Sequence, residues 1–370
     1  MDFIKLIKNN LIKIFIVIGI IIAIVIGVFV FLSMDTSNVN SRDSYIAIEK
    51  KLVKATKIYF RKNPNLLPDV NEEKKVSLQT LINAKVIRAI KNRNHKDQFC
   101  TGEVVVLQKE NEEYIYKPYL KCGKDYETTY LSNLIIEKDL VTEGEGLYEV
   151  GDKYIFKGDK PNNYVTIGED EFRIISINED NEIKLISTSP TRKIIYWDNR
   201  YNSDSKRVDG INDFNKSRVR DFLIEYIDNP DLPQKIKDYI IKKPLCIGKR
   251  NPQDTTTLDG SIECSTLSDE MYFGLIQVNE YYNASTDPNC TNTTTRACTN
   301  YNFFSEIFTT FITQTASAAN TNKIYTIDYG ILKETDAKIY FSPYVVFYLD
   351  KDVIYNKGDG TKEAPYKLRI

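Results

Sequence analysis

The chain has 370 residues, enough for two folded domains and an appendage at roughly 100–200 residues per domain. Its 50 basic and 51 acidic residues leave a net charge of −1, without the basic excess a nucleic-acid partner requires. The one histidine, His95 in "KNRNHKDQFC", excludes His-rich metal sites and argues against His-dependent triads; charged and polar neighbours mark it as a solvated loop residue.

The first predicted element follows a basic tail, residues 1–13. Ile14 to Met34, "IFIVIGIIIAIVIGVFVFLSM", carries no charge, and as a helix it would reach about 31 Å, the depth of a bilayer core. Lys5, Lys8 and Lys13 precede it, so the positive-inside rule predicts a cytoplasmic N-terminus. A cleaved signal peptide would have a shorter apolar run and a small-x-small site, so residues 14–34 read as an uncleaved single-pass anchor. Gly19, Ala23 and Gly27 would share one helix face, a pattern also expected by chance in such a span. All six cysteines follow the anchor, which predicts a disulfide framework outside the cell.

A first exported α+β domain is predicted over residues 44–137. "SYIAIEKKLVKATKIYFRKNP" places Ile48, Leu52, Ala55 and Tyr59 on one helical face, capped by Ser44 and stopped at Asn63-Pro64. A second helix is expected in "VSLQTLINAKVIRAI", through Leu78, Leu81, Ile82 and Val86. "EVVVLQKENEEYIYKPYL" reads as two strands around a turn at Glu110–Glu112. Cys100 and Cys122 are equidistant from Asn111, so an in-register hairpin brings them face to face. No second ligand pair accompanies them, which favours a disulfide over zinc. The anchor, the amphipathic helix and the Cys-bracketed hairpin together resemble the pilin-like exported proteins of Gram-positive bacteria, over roughly residues 11–130. The glycine before the cleaved bond and the glutamate five residues beyond it, which type IV prepilins carry, are absent from "IKIFIVIG" and its flanks. The resemblance therefore does not extend to processing or filament assembly.

"VTEGEGLYEVGDKYIFKGDKPNNY", rich in glycine and acid, marks the start of a second domain, residues 145–370. "EFRIISINEDNEIKLIS" predicts a hairpin turning at Asp180-Asn181. "FNKSRVRDFLIEYI" predicts a helix capped by Ser217 that buries Val219, Phe222, Leu223 and Tyr226. "MYFGLIQVNEYYNA" is strand-like in its first half, and "KIYFSPYVVFYL" is strand-like with Pro343 suited to an edge or bulge. Cys246 with Cys264, and Cys290 with Cys298, bracket polar intervals and pair locally. "FRIISI…IKLIS", "WDNRYN…GINDF…SRVRDFL", "MYFGLIQVNEYYNA", "FSPYVVFYL" and "GDGTKEAPYKL", in that order, resemble a domain of unknown function from Gram-positive surfaces. That family is similar in fold to the formylglycine-generating-enzyme and C-type-lectin group, which implies an irregular α+β scaffold with long loops.

Gly358-Asp359-Gly360 has neither the room for a phosphate-binding helix nor the spaced oxygen ligands of a calcium loop; it reads as a turn. Glu263, Asp269, Glu270 and Glu280 are the nearest approach to paired catalytic carboxylates, and scattered acids are usually solvated surface. No catalytic residue, metal ligand or cofactor motif is identified. The expectation is a membrane-anchored surface protein, non-enzymatic, with a cell-surface glycan or a protein as partner and no nucleic acid. A minor pilin or secretion-apparatus component is the alternative reading, and a wall-active hydrolase the second.

Overall fold

The computed structural model describes residues 42, 44–108, 113–230, 232 and 234–369. The predicted anchor, residues 14–34, and the hairpin turn at 110–112 lie outside them. Among the described residues no helix is long and apolar enough to cross a membrane. The fold is α+β, in two compact units that divide between Thr128 and Thr129.

In the first unit, helix α1 (44–62) contributes to cores built on a four-stranded antiparallel sheet. Its strands are β1 (Glu73–Ser77), β2 (Thr101–Gln108), β3 (Tyr114–Cys122) and β4 (Tyr126–Glu127), in that order. Helix α2 (Leu78–Asn83) follows β1 directly, because Ser77 ends the strand and accepts the Thr80 N–H at 3.0 Å as N-cap. It is shorter than the periodicity predicts: Val76 and Ser77 belong to β1, and Lys85 turns the chain with φ 54°. The buried face of α1 is also rotated from the predicted stripe. Tyr45, Glu49, Leu52, Ala55, Thr56 and Phe60 are buried, while Ile48 and Tyr59 are half-buried. Glu49 accounts for the rotation, since its Oε1 accepts hydrogen bonds from Tyr126 Oη (2.9 Å) and Thr128 Oγ1. A buried carboxylate with such partners is retained inside at a position that pattern reading assigns to solvent.

Cys100 and Cys122 flank the hairpin, one residue beyond the Thr101–Lys121 pair, and are bonded with Cα atoms 4.2 Å apart. Just beyond, Asp125 accepts hydrogen bonds from buried Asn92 (2.5 Å) and from Asn94 (3.1 Å), and its Oδ2 lies 2.8 Å from His95 Nδ1. Hydrogen bonds from Asn92 first, then His95 and Asn94, hold its carboxyl down at about 2. A depressed folded value stabilises above the ordinary 3.8, and that contribution is lost as pH falls toward about 2. Asp125→Asn is therefore expected to flatten the acid limb of stability over that window, read by circular dichroism. An unchanged acid limb would remove Asp125 from its role.

The second unit begins with α3 (Leu131–Asp139), whose Leu131 and Ile135 are buried in its core. This corrects the boundary set by composition, which left residues 131–137 in the first domain: glycine-rich stretches mark turns, whereas burial assigns a helix. The main sheet runs β11 (Ile240–Ile241), β19 (Val346–Leu349), β9 (Ile183–Ser187), β8 (Asp170–Ile177), β7 (Tyr164–Ile167), β21 (Tyr366–Leu368) and β20 (Tyr355–Lys357). Off this path, β14 (Phe273–Gly274) pairs with β19, and β6 (Lys153–Lys157) joins β8 to β5 (Gly146–Val150). Only β7 and β21 run parallel within it. Smaller sheets are β10 (Ile195–Tyr196) with β18 (Tyr340–Phe341), β12 (Lys243–Cys246) with β13 (Leu267–Met271), and the meander β15 (Thr310–Ala316), β16 (Lys323–Asp328), β17 (Ile331–Asp336). The helices α4 (Arg218–Glu225), α5 (Val278–Asn283) and α6 (Phe304–Ile307) are all short.

The β8–β9 hairpin turns with Asn181 at φ 64°, and Ser217 caps α4 by accepting the Arg220 N–H at 3.1 Å. "MYFGLIQVNEYYNA" supplies only the last residue of β13, Met271, and the two residues of β14 before α5 begins. Pro343 falls between β18 and β19 rather than in a strand, and its carbonyl accepts the Thr191 N–H. The "WDNRYN…GIND" stretch is held from within. Trp197 is buried with its indole N–H on the Thr313 carbonyl, and Asp198 accepts from Arg200 and from the Ile211 N–H. Asn212 donates to the carbonyls of Ser317, Asn320 and Lys323. These residues satisfy buried backbone groups, a structural task.

Candidate binding cavity

A cavity of about 310 Å³ opens in the second unit between β6, β8 and β9 on one side and β12 and α5 on the other. Its charged floor is set by β9, every residue of which is buried. Lys184 in the middle of "IKLIS" is thus carried inside, where it forms an ion pair with Glu280 and lies 5.1 Å from the Tyr348 ring centroid. Burial acts to lower the Lys184 pKa, but Glu280 and Tyr348 outweigh it, and the ammonium titrates above its usual range. Glu280 also accepts the Gln277 N–H at 2.9 Å and so anchors the first turn of α5. Both charges of the pair are spent on each other and on the helix.

The rest of the wall mixes four amides with four charged side chains, Lys153, Lys243, Glu179 and Asp259. Gln277, Asn279 and Asn283 of α5 and its N-cap line the cavity. Asn283 Nδ2 donates to the Leu258 carbonyl at 2.8 Å. Asn279 is buried, and its Oδ1 has no hydrogen-bond partner. Gly260 lies against it: at φ +90°, a Cβ there would stand 2.7 Å from Asn279 Nδ2. Glycine is required for that close approach.

The four candidate carboxylates do not converge on this cavity as a catalytic pair. Glu263 is buried against Arg250 at 2.8 Å, Asp269 is exposed beside Arg220 at 3.3 Å, and Glu270 is exposed opposite Pro244 in the β12–β13 ribbon. Only Glu280 lines the cavity, with Lys184 as its cation. Among the described residues no cluster of three or more His, Cys, Asp or Glu could hold a metal ion. Lys184, Gln277 and Asn279 escaped the sequence reading. The available signal was a lysine within an otherwise apolar strand, which burial on both faces obliges to find a counter-charge.

Cys246 and Cys264 are bonded, as are Cys290 and Cys298, with Cα separations of 4.3 and 4.6 Å. The first pair forms part of the cavity wall, and Cys264 is exposed. Cys122 and Cys298, one member of each other bridge, are fully buried. Graded treatment with a dithiol should therefore open Cys246–Cys264 first, because exchange needs access to sulfur. Differential alkylation with peptide mapping reads the order, and earlier loss of Cys100–Cys122 would contradict it.

Comparison with family models, curated proteins and solved structures finds no match to this chain.

Proposed function

We propose that the chain is a membrane-anchored extracellular protein whose second unit is a binding module rather than a catalyst. The apolar run at 14–34 and the three disulfides support the location. On this reading the second unit is a C-type-lectin-like scaffold, consistent with its short helices and long loops, and the ligand is a unit of a cell-surface polymer. The observation that carries it is a cavity whose wall presents four amides among charges balanced at three of each sign, the Lys184–Glu280 pair included. At about 310 Å³ it lies at the small end of ligand pockets. Amides offer donors and acceptors without charge, which suits a hydroxyl- or acetamido-bearing sugar residue.

The test is a glycan and cell-wall screen with the full-length chain in detergent. Binding that falls at least tenfold on Asn279→Ala, with the melting temperature retained, is the expected result. Release of soluble fragments from purified wall would instead make the protein a hydrolase. Orientation is tested separately on intact cells: an impermeant thiol reagent should label only after reduction, and labelling only after lysis would reverse the topology.

The helix-plus-hairpin architecture of the first unit supports a second reading, a minor pilin-like component. An intact N-terminal anchor, measured by mass on protein from membranes, would count against a processed pilin.

A further inference from the structure

We propose a second binding site, for a neutral oligosaccharide, on the β10–β18 ribbon and α4; it shares with the preceding reading only the extracellular location. Tyr196 and Tyr340 are directly opposed in the ribbon, with ring centroids 6.0 Å apart and planes at 70°. They are 38% and 67% exposed, and Ile194 and Ile224 beside them are also exposed. The ribbon is nevertheless rigidly mounted. The Trp197 N–H donates to the Ile339 carbonyl at 3.0 Å, and the Val219 N–H of α4 donates to the Trp197 carbonyl at 3.0 Å. The rings are thus held out to solvent by a fixed backbone, which lowers the ordering cost of binding.

Between ribbon and helix lies a cleft of about 560 Å³. Its charged side chains are Lys193, Arg218, Asp221 and Glu225, two of each sign, with Arg218 and Asp221 3.7 Å apart. Asn199 and Glu225 have no side-chain hydrogen bond among the described residues and remain free to meet hydroxyls. The balance of charge supplies no net attraction for a polyanion. A protein partner is disfavoured too, because the centre of a protein interface is depleted of charge and these four ions line the cleft with Tyr196. Flat aromatic faces beside amide, acid and guanidinium groups fit the apolar faces and hydroxyl edges of a neutral sugar chain.

The experiment is calorimetric titration of the full-length chain in detergent with neutral oligosaccharides, N-acetylglucosamine and glucose oligomers of four units. A poly(glycerol phosphate) forms the parallel anionic arm. Tyr196→Ala and Tyr340→Ala should each weaken a neutral oligomer at least tenfold. The Tyr→Phe variants should leave that binding within twofold. Retained melting temperatures exclude unfolding, as expected for exposed rings. Binding abolished by Asn279→Ala and untouched by the tyrosine variants would place the sugar in the cavity and overturn this site. Preference for the phosphate polymer, or no binding by any neutral oligomer, would also overturn it.

Discussion

Replacing Arg250 with methionine is expected to produce the largest loss of stability of any single substitution in the second unit. Arg250 and Glu263 are both fully buried; Arg250 Nε and Nη2 lie 2.9 and 2.8 Å from Glu263 Oε1. The guanidinium also donates to the Thr257 carbonyl at 2.8 Å and the Asp254 carbonyl at 3.3 Å. Its own backbone bridges to Ala316 and Ala318, so one residue ties the loop of the Cys246–Cys264 bridge to the end of β15. Removing it leaves the buried Glu263 carboxyl without its cation, at a cost of about 3–5 kcal/mol. For a unit of this size that corresponds to a fall in melting temperature of roughly 10 °C. A double variant that also replaces Glu263 with methionine should recover part of the loss, because no orphan charge remains.

The pH dependence has a defined sign. Burial raises the Glu263 pKa above the usual 4.5, with Arg250 opposing the shift. Between the unfolded and the higher folded value the native state binds more protons, so stability rises as pH falls through that window. Without Arg250 the folded value climbs further and this dependence steepens. Thermal melts of Arg250→Met from pH 7 down to pH 5 read it. A variant as stable as the parent, or one that loses stability on acidification in that range, would defeat the assignment.

Deleting residues 356–370 is expected to abolish the cooperative melt of the second unit or lower it by more than roughly 10 °C. β21 lies between β7 and β20, and Tyr366 is fully buried and Leu368 nearly so. Those two side chains alone represent about 3–6 kcal/mol of burial. Tyr366 Oη donates to Asp139 Oδ2 at 2.5 Å, a carboxyl that burial raises and this bond lowers in part. The glycines before the strand are turn residues by geometry. A Cβ on Gly358 (φ +97°) would fall 2.0 Å from the Pro365 carbonyl oxygen, and one on Gly360 (φ +82°) 2.3 Å from that of Asn162. Gly358→Ala and Gly360→Ala should each cost about 1–3 kcal/mol or more, by backbone strain and overlap. Asp359→Ala should cost only about 1 kcal/mol, the loss of its turn contacts to Thr361. A deletion that melts within a few degrees of the parent, or a calcium-dependent stabilisation abolished by Asp359→Ala, would overturn this account.

Part of this fold is written in local periodicity and symmetry. The β2–β3 and β8–β9 hairpins follow from alternation and turn residues, and Ser217 from capping chemistry. Tyr366 and Leu368, two residues apart in β21, share its buried face. Tertiary structure decided the rest, because a pattern reports which side of an element is inside but not what it meets there. Glu49 is held in the core by the hydroxyls of Tyr126 and Thr128, 77 and 79 residues away, which donate to its Oε1. Lys184 meets Glu280 across 96 residues, and β21 enters the sheet parallel to β7 from the far end of the chain. No local rule pairs such residues. The cavity, its neutralised floor and the exposed tyrosine ribbon all arise from contacts of this kind, between segments whose meeting is set by closing the whole core.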